Sequence, residues 1–134
     1  MGWRVLIVDD EVRYGQLLSR ALEREQFEVT VASDSATAMD LLLGGRVDLL
    51  ITDLDMPGLT GLDLTELAHS LPRAPQVLVI TAQKTMLAGA LRRLRDVHCL
   101  LKPFTLEDFR AKVALLTDKW LEPETRFQES ELVI

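Results

Sequence analysis

The sequence predicts an α/β protein of the doubly wound type, (βα)5, in which five β-strands each lead into a helix and form one parallel sheet. Two observations support this prediction. Short apolar runs alternate along the chain with longer segments whose apolar residues recur at helical spacing. Four of the five runs are almost continuously apolar, which is typical of parallel strands that helices cover on both faces.

The predicted strands lie at residues 5–8, 29–32, 47–52, 77–81 and 97–101. The second differs from the others because Glu28 and Thr30 alternate with apolar residues, and this pattern predicts an edge strand. We therefore expect the strand order 2-1-3-4-5, as in flavodoxin-like folds. In such sheets ligands bind beyond the carboxyl ends of the strands, at the switch point between strands 1 and 3.

Five helical stripes follow the strands. Gly44 and Gly45 predict the end of the second helix, Pro72 predicts the end of the third, and residues 105–108 resemble a capping box that opens the fifth. The stripes consist of Leu17, Leu18, Ala21 and Leu22; Met39, Leu42 and Leu43; Leu64, Leu67, Ala68 and Leu71; Met86, Leu87, Ala90, Leu91 and Leu94; and Phe109, Val113, Leu116 and Trp120. The pattern stops there, which predicts one domain over residues 1–121 and an acidic polar tail, or the start of a linker, over residues 122–134.

The composition and charge of the chain exclude several classes of function. Of the 134 residues, 48% are hydrophobic, which is enough for one ordinary domain with its own core. The formal net charge of −6 argues against direct binding of nucleic acid, since phosphate contacts require a basic face. The apolar runs are too short to span a membrane, and the single Cys99 allows no internal disulfide. We expect a soluble, cytoplasmic protein without a signal peptide.

Polar side chains end four of the predicted strands. Asp9 and Asp10 follow the first strand, Asp53 follows the third within VDLLITDLDMP (47–57), Thr81 ends the fourth, and Lys102 follows the fifth. Because the carboxyl ends of parallel strands meet at one edge of the sheet, we expect these five side chains to lie together.

This set of residue types suits phosphoryl transfer. Three neighbouring carboxylates repel one another, and a divalent cation with hard oxygen ligands, such as Mg²⁺, relieves that repulsion. A lysine adds a compact positive charge for a phosphoryl group, and a threonine adds a hydroxyl. The predicted chemistry is therefore nucleophilic attack by Asp53 on phosphorus, with Mg²⁺ and Lys102 neutralising the transferring group.

Each residue also has a structural interpretation. Asp9 and Asp10 could cap the first helix, and Asp55 could be a helix cap or a turn residue. Thr81 could be an ordinary strand threonine, and Lys102 could mark a strand end before the turn-forming Pro103. These alternatives explain the residues one at a time, whereas the predicted site explains why they occur at matching strand ends.

The sequence resembles a receiver (CheY-like) domain of a two-component response regulator. The resemblance rests on IVDDE at 7–11, ITDLDMPGLTGLDL at 51–64, VITA at 79–82 and LLKPF at 100–104, and covers residues 3–121. It implies that Asp53 accepts the phosphoryl group, that Thr81 and Lys102 contact it, and that Mg²⁺ is bound by Asp10 and Asp53. It further implies that Asp9 acts through water, that the backbone carbonyl of Asp55 completes the shell, and that the peptide before Pro103 is often cis.

The resemblance also implies partners. A sensor histidine kinase or a phosphotransfer protein would supply the phosphoryl group. A downstream output domain or protein, or a second copy in a homodimer, would dock on the face formed by helix 4, strand 5 and helix 5. Such a module has at most self-phosphorylation from small donors and autodephosphorylation as activities. The three arginines Arg92, Arg93 and Arg95 suit the end of helix 4 in any case.

The sequence departs from the family pattern at Cys99, where the family usually has Tyr or Phe three residues before the lysine. We therefore expect activation to shift the loop after Thr81 and the start of helix 4 without a rotamer exchange at position 99. Two other functions compete with a phosphorylated receiver. One is a degenerate receiver that docks partners without phosphorylation. The other is a haloacid-dehalogenase-type phosphatase, whose D-x-D motif is followed by Thr or Val where this chain has Pro57.

Overall fold

A computed structural model describes residues 2–118 and Ile134. Strands and helices alternate strictly across the described residues, as the sequence predicts. The elements are β1 (Trp3–Val8), α1 (Val12–Ala21), β2 (Phe27–Ala32), α2 (Ser35–Leu43), β3 (Leu49–Asp53), α3 (Gly61–Ser70), β4 (Gln76–Thr81), α4 (Lys84–Arg93), β5 (Val97–Leu101) and α5 (Leu106–Thr117).

The five strands form one parallel sheet in the order β2-β1-β3-β4-β5, which confirms the predicted topology. The register pairs Val8 with Thr52, Asp53 with Ile80, and Thr81 with Leu101, so the strands end almost level with one another. This alignment brings the residues that follow the strands to one rim of the sheet.

Helices cover both faces of the sheet, and alternate strand residues feed two separate cores. One core contains Ile7, Ile51 and Ile80 together with α1 and α5. The other contains residues one position away, such as Leu50 and Val79, together with α2, α3 and α4. The central strands are therefore buried on both sides, which explains their continuous apolar sequence.

The predicted helix boundaries are present in the structure. Gly44 caps the end of α2, and Leu71, just before Pro72, caps the end of α3. Thr105 and Asp108 form the predicted capping box of α5, and Thr60 and Asp63 form a second one at the start of α3. Reciprocal bonds of this kind satisfy amide groups that the first turn of a helix leaves without partners.

The strand β5 differs from the prediction that it is covered on both faces. All five of its residues are half-buried, because β5 is the second edge of the sheet and pairs only with β4. Trp120 and residues 122–133 of the predicted tail lie outside the described residues. Ile134 exchanges two backbone hydrogen bonds with Phe104, at 2.7 and 3.1 Å. Among the described residues, none of the helices has the length and hydropathy needed to cross a bilayer.

Candidate functional site

The carboxyl rim of the sheet gathers the predicted acidic residues. Ligand oxygens of Asp9, Asp10 and Asp53 all lie within 4.8 Å of one another. Asp9 and Asp10 leave β1 and Asp53 ends β3, and these two strands are hydrogen-bonded neighbours at the switch point of the sheet. The acids therefore stand where doubly wound folds bind ligands.

Lys102 reaches across the rim to two of these acids. Its Nζ lies 3.2 Å from Asp53 Oδ2 and 3.5 Å from Asp9 Oδ2. The three side chains are 17%, 11% and 3% exposed respectively, so these ion pairs are largely shielded from water. A single ammonium thus faces a group of three carboxylates, and the described site carries an excess of negative charge.

Asp9 is the acid most affected by this environment. Burial raises the pKa of its carboxyl, and the neighbouring Asp53 raises it further. The Glu11 amide, which donates to Asp9 Oδ1 at 2.9 Å, and the Lys102 ammonium act in the opposite direction but do not cancel the effect. The N-cap of α1 is Glu11, without a side-chain cap hydrogen bond, so neither Asp9 nor Asp10 caps α1 as the structural alternative proposed.

Thr81 lies at the same rim and is fully buried. Its Oγ accepts a hydrogen bond from the Gln83 amide at 3.0 Å, and its carbonyl accepts one from the Lys102 amide at 2.8 Å. The threonine thus connects the end of β4 to the residue that opens α4 and to the backbone that carries the lysine. A movement of this hydroxyl would release the amide of Gln83, the residue that caps the start of α4.

The loop after β3 is shaped by Asp53 itself. Asp53 Oδ1 accepts the amide of Asp55 at 3.0 Å, which curls the chain around the carboxylate. Gly61, the first residue of α3, lies against the backbone of Asp53, and a Cβ atom at position 61 would overlap the Asp53 carbonyl. A glycine is therefore required here by contact distance, a requirement that the sequence analysis did not identify.

A second residue that the sequence analysis missed is Tyr14. Its ring centroid lies 3.8 Å from Lys102 Nζ. A signal was available, since Tyr14 precedes Leu18 by four residues and so extends the inward stripe of α1 back to the rim. Burial and the charges of Asp9, Asp53 and Glu11 raise the pKa of the Tyr14 phenol well above its usual value.

Cys99 lies away from the rim, two residues before the end of β5, and is half-buried against the core on the α4 side. The Lys102–Pro103 peptide bond is cis, as the family resemblance implied.

The chemistry of the rim fits a hard divalent cation. Its potential ligands are carboxylate and backbone oxygens, which suit Mg²⁺, and they present more negative charge than Lys102 balances. The accessibility of the acids differs: Asp10 is exposed, whereas both Asp9 oxygens already accept hydrogen bonds from Glu11 and Lys102. Asp10 is therefore the freest of the three to bind an ion directly.

Comparison with known proteins identifies the class. Residues 5–114 match the response regulator receiver domain family, and the chain belongs to that family. It is therefore a signalling module of two-component phosphorelays rather than a conventional enzyme. Receiver domains bind Mg²⁺ at an acidic pocket, and their function implies a histidine kinase or another phosphodonor as partner.

Individual relatives support this assignment. The chain is 32% identical to the uncharacterised transcriptional regulatory protein YrkP of Bacillus subtilis (strain 168), over 100% of this chain and 58% of that protein. It is 33% identical to the response regulator MprA of Mycobacterium bovis (strain BCG / Pasteur 1173P2), over 87% of this chain and 51% of that protein. The chain thus spans about half the length of the curated relatives it matches.

A similar solved structure is the response regulator protein TrrA of Thermotoga maritima in complex with Mg²⁺-BeF. The TM-score is 0.75 at 27% identity, and the alignment covers 85% of this chain and 98% of TrrA. The receiver fold of the present chain is therefore shown by both sequence and structure.

Proposed function

We propose that this receiver is switched by Mg²⁺-dependent phosphorylation of Asp53. The observation that carries the proposal is the group of three carboxylates, Asp9, Asp10 and Asp53, around the single Lys102 ammonium. Such a site is poised to bind a cation, because the cation offsets the excess negative charge. The bound cation and Lys102 together can then neutralise the negative charge of an incoming phosphoryl group.

The proposed reaction is a displacement at phosphorus. An Asp53 carboxylate oxygen forms a bond to phosphorus while the bond from phosphorus to the donor breaks, and the donor leaves as a neutral histidine side chain or as acetate. Lys102 stabilises negative charge on the transferring group, since its Nζ is 3.2 Å from Asp53 Oδ2. Water later attacks the phosphorus of the acyl phosphate, which releases inorganic phosphate and restores the carboxylate.

The metal ligands follow from family resemblance and from accessibility. Asp10 and Asp53 would bind Mg²⁺ directly, Asp9 would hold it through water, and the carbonyl of Asp55 would complete the shell. The ion would supply positive charge to the transferring phosphoryl group. The existing hydrogen bonds of Asp9 support its indirect role, because direct binding would displace one of them.

The phosphoryl group on Asp53 carries about 1.5 to 2 negative charges, in place of the single charge of the carboxylate. We propose that the Thr81 hydroxyl turns toward this charge and gives up the Gln83 amide that it now accepts at 3.0 Å. The loop after Thr81 and the start of α4 would then shift. The half-buried Cys99 is too small to exchange between two packed positions, so it takes no part in this switch.

The surface that changes is the α4-β5-α5 face. Exposed apolar residues on its two helices support its use as an interface: Met86, Leu91 and Leu115 are 36%, 46% and 64% exposed. A histidine kinase or phosphotransfer protein would act at the rim, and an output domain, a separate protein or a second copy would dock on this face. The net charge of −6 supports indirect rather than direct action on nucleic acid. By analogy with the family, we place the protein in the cytoplasm.

Intact-mass measurement with Mg²⁺ and acetyl phosphate tests the proposal. We expect one phosphoryl adduct in the wild type, labile to base and hydroxylamine, and none in Asp53→Asn or with EDTA. Asp48→Asn is the matched control, since it neutralises an aspartate at the opposite end of β3. Equal labelling of wild type and Asp53→Asn would contradict the assignment of the acceptor.

The absence of any adduct in the wild type would instead favour the degenerate receiver, which docks partners without phosphate. The comparisons give no support to that alternative or to a haloacid-dehalogenase-type phosphatase. The D-x-D motif here ends β3 rather than the first strand, where the phosphatase family usually carries it.

A further inference from the structure

Tyr14 contacts the proposed reaction centre but has no role in the scheme above. It is the third residue of α1, on the face that packs toward the core shared with α5. The centroid of its ring lies 3.8 Å from Lys102 Nζ, well within the distance at which an ammonium is attracted to an aromatic face. This attraction is stronger where water is excluded, and the Lys102 side chain is only 17% exposed.

The ammonium of Lys102 therefore has three anchors. Two are the carboxylates of Asp9 and Asp53, at 3.5 and 3.2 Å, and the third is the Tyr14 ring. The two carboxylates change during the reaction, because one becomes an acyl phosphate and both lie in the group proposed to hold the metal. The ring does not change. It is the one constant attachment for Lys102 among those that the described residues provide.

We propose that Tyr14 is a positioning residue whose ring face holds the Lys102 ammonium in line with the phosphoryl group on Asp53. This inference rests on the proposed function, because it assigns Tyr14 to the phosphorylation of that same site. An aliphatic side chain would fill similar space without attracting the ammonium. Lys102 would then follow whichever carboxylate is most negative and would adopt the productive geometry less often.

The hydroxyl group of Tyr14 takes no part in this role. It is buried and has no hydrogen-bond partner among the described residues. Burial and three neighbouring acids raise the pKa of the phenol, so the ring stays neutral at physiological pH. Removing the hydroxyl alone therefore preserves the ring face and relieves an unsatisfied polar group. Tyr14→Phe is the matched control for Tyr14→Leu, which removes the ring.

Nuclear magnetic resonance of protein labelled with ¹³C-lysine tests the contact without relying on catalysis. The chain contains four lysines, so the Lys102 signals can be assigned by their loss in Lys102→Gln. A methylene next to an ammonium that lies over a ring is shifted upfield by the ring current. We expect this shift in wild type and Tyr14→Phe and not in Tyr14→Leu. A wild-type Lys102 without the upfield shift would overturn the proposal.

The rate of phosphorylation from acetyl phosphate at saturating Mg²⁺ tests the consequence. We expect Tyr14→Phe to match the wild type and Tyr14→Leu to be slower by about fivefold, as expected from the loss of one cation–π contact. Thermal unfolding identifies a Leu variant that fails to fold, in which case Tyr14→Met replaces it. Equal rates in the Phe and aliphatic variants would refute the positioning role.

The two readouts separate this inference from the proposed function. A protein that takes no phosphoryl group but shows the ring-current shift would contradict phosphorylation of Asp53 and, with it, a positioning role in that reaction. A protein that labels normally at Asp53 but shows neither the shift nor a difference between Phe and Leu would keep the proposed function and lose only the role of Tyr14.

Discussion

The two rims of the sheet carry charged residues in opposite ways. At the amino ends of the strands, Arg4 pairs with Glu28 at 3.2 Å, and Arg73 pairs with Asp48 at 3.8 Å. Asp48 also accepts the Arg4 amide at 2.8 Å. Side chains in these ion pairs are between 29% and 85% exposed, and acids and bases occur in equal numbers.

At the carboxyl ends, three acids share one lysine, and the side chains of Asp9, Asp53 and Lys102 are at most 17% exposed. Exposed ion pairs contribute little to stability, and a rim whose charges balance has no excess charge to attract an ion. A buried excess of negative charge is costly in the free protein and is relieved by an added cation. The comparison teaches that the carboxyl rim, where we propose the reaction occurs, differs from the opposite rim by its uncompensated charge rather than by its number of charged residues.

The largest expected effect that sharpens this comparison is on metal affinity. Asp10→Asn should weaken Mg²⁺ binding by about a hundredfold, because Asp10 is the exposed acid with oxygens available for direct contact. Asp9→Asn should weaken it less, about tenfold, since its role is indirect. Calorimetric titration of Mg²⁺ measures both. Asp48→Asn at the opposite rim is the control, and an Asp10→Asn affinity equal to that of the control would break the assignment.

The next effect concerns the backbone that supports the acidic rim. Gly61→Ala should lower the free energy of unfolding by about 2 kcal/mol, because the added Cβ would overlap the Asp53 carbonyl and force α3 away from β3. Urea unfolding monitored by circular dichroism measures this loss. Gly89→Ala in α4 is the control: a Cβ there meets no atom within 4 Å, so this change should be neutral or stabilising. Similar losses in both variants would show that the close approach at Gly61 is not tight.

A smaller effect of opposite sign is expected when one buried acid is removed. Without Mg²⁺, Asp9→Asn should raise the free energy of unfolding by on the order of 1 kcal/mol at neutral pH, while Lys102 keeps its contact with Asp53. The pKa of Asp9 is raised in the folded protein, so the folded protein binds more protons than the unfolded chain in the pH range between the ordinary Asp pKa and this raised pKa. Wild-type stability therefore falls as pH rises through that range.

The advantage of the variant should accordingly shrink as pH falls through the folded-state pKa of Asp9, where the wild-type carboxyl becomes neutral as well. Unfolding curves at several pH values in EDTA measure this trend. An advantage that grows toward acid pH would show that Asp9 is stabilised, not strained, by its surroundings.

The smallest effect is expected at the amino rim. Asp48→Asn keeps an oxygen that can accept the Arg4 amide and removes one partly exposed charge, so the free energy of unfolding should change by no more than about 0.5 kcal/mol. The phosphorylation rate should equal that of the wild type. A marked loss of stability or of phosphorylation rate in Asp48→Asn would show that the amino rim contributes as much as the carboxyl rim, and the contrast between the two rims would be wrong.

The sequence by itself determined the order of the elements and the residues at their ends. Continuous apolar runs for buried strands, helical stripes and capping residues are local patterns, and each depends only on neighbours along the chain. The family motifs that predict the site are also local patterns, because each lies at the end of one strand. They contain Asp9, Asp10, Asp53, Thr81 and Lys102.

Contacts between distant segments were decided only by the tertiary structure. The exposure of β5 follows from its place at the edge of the sheet, although its composition is that of a buried strand. Gly61 is required by the backbone of Asp53, and the Tyr14 ring contacts the ammonium of a lysine 88 positions later, in the loop after β5. Such relations depend on the distance between chain segments after packing, which neither hydrophobic period nor local propensity encodes.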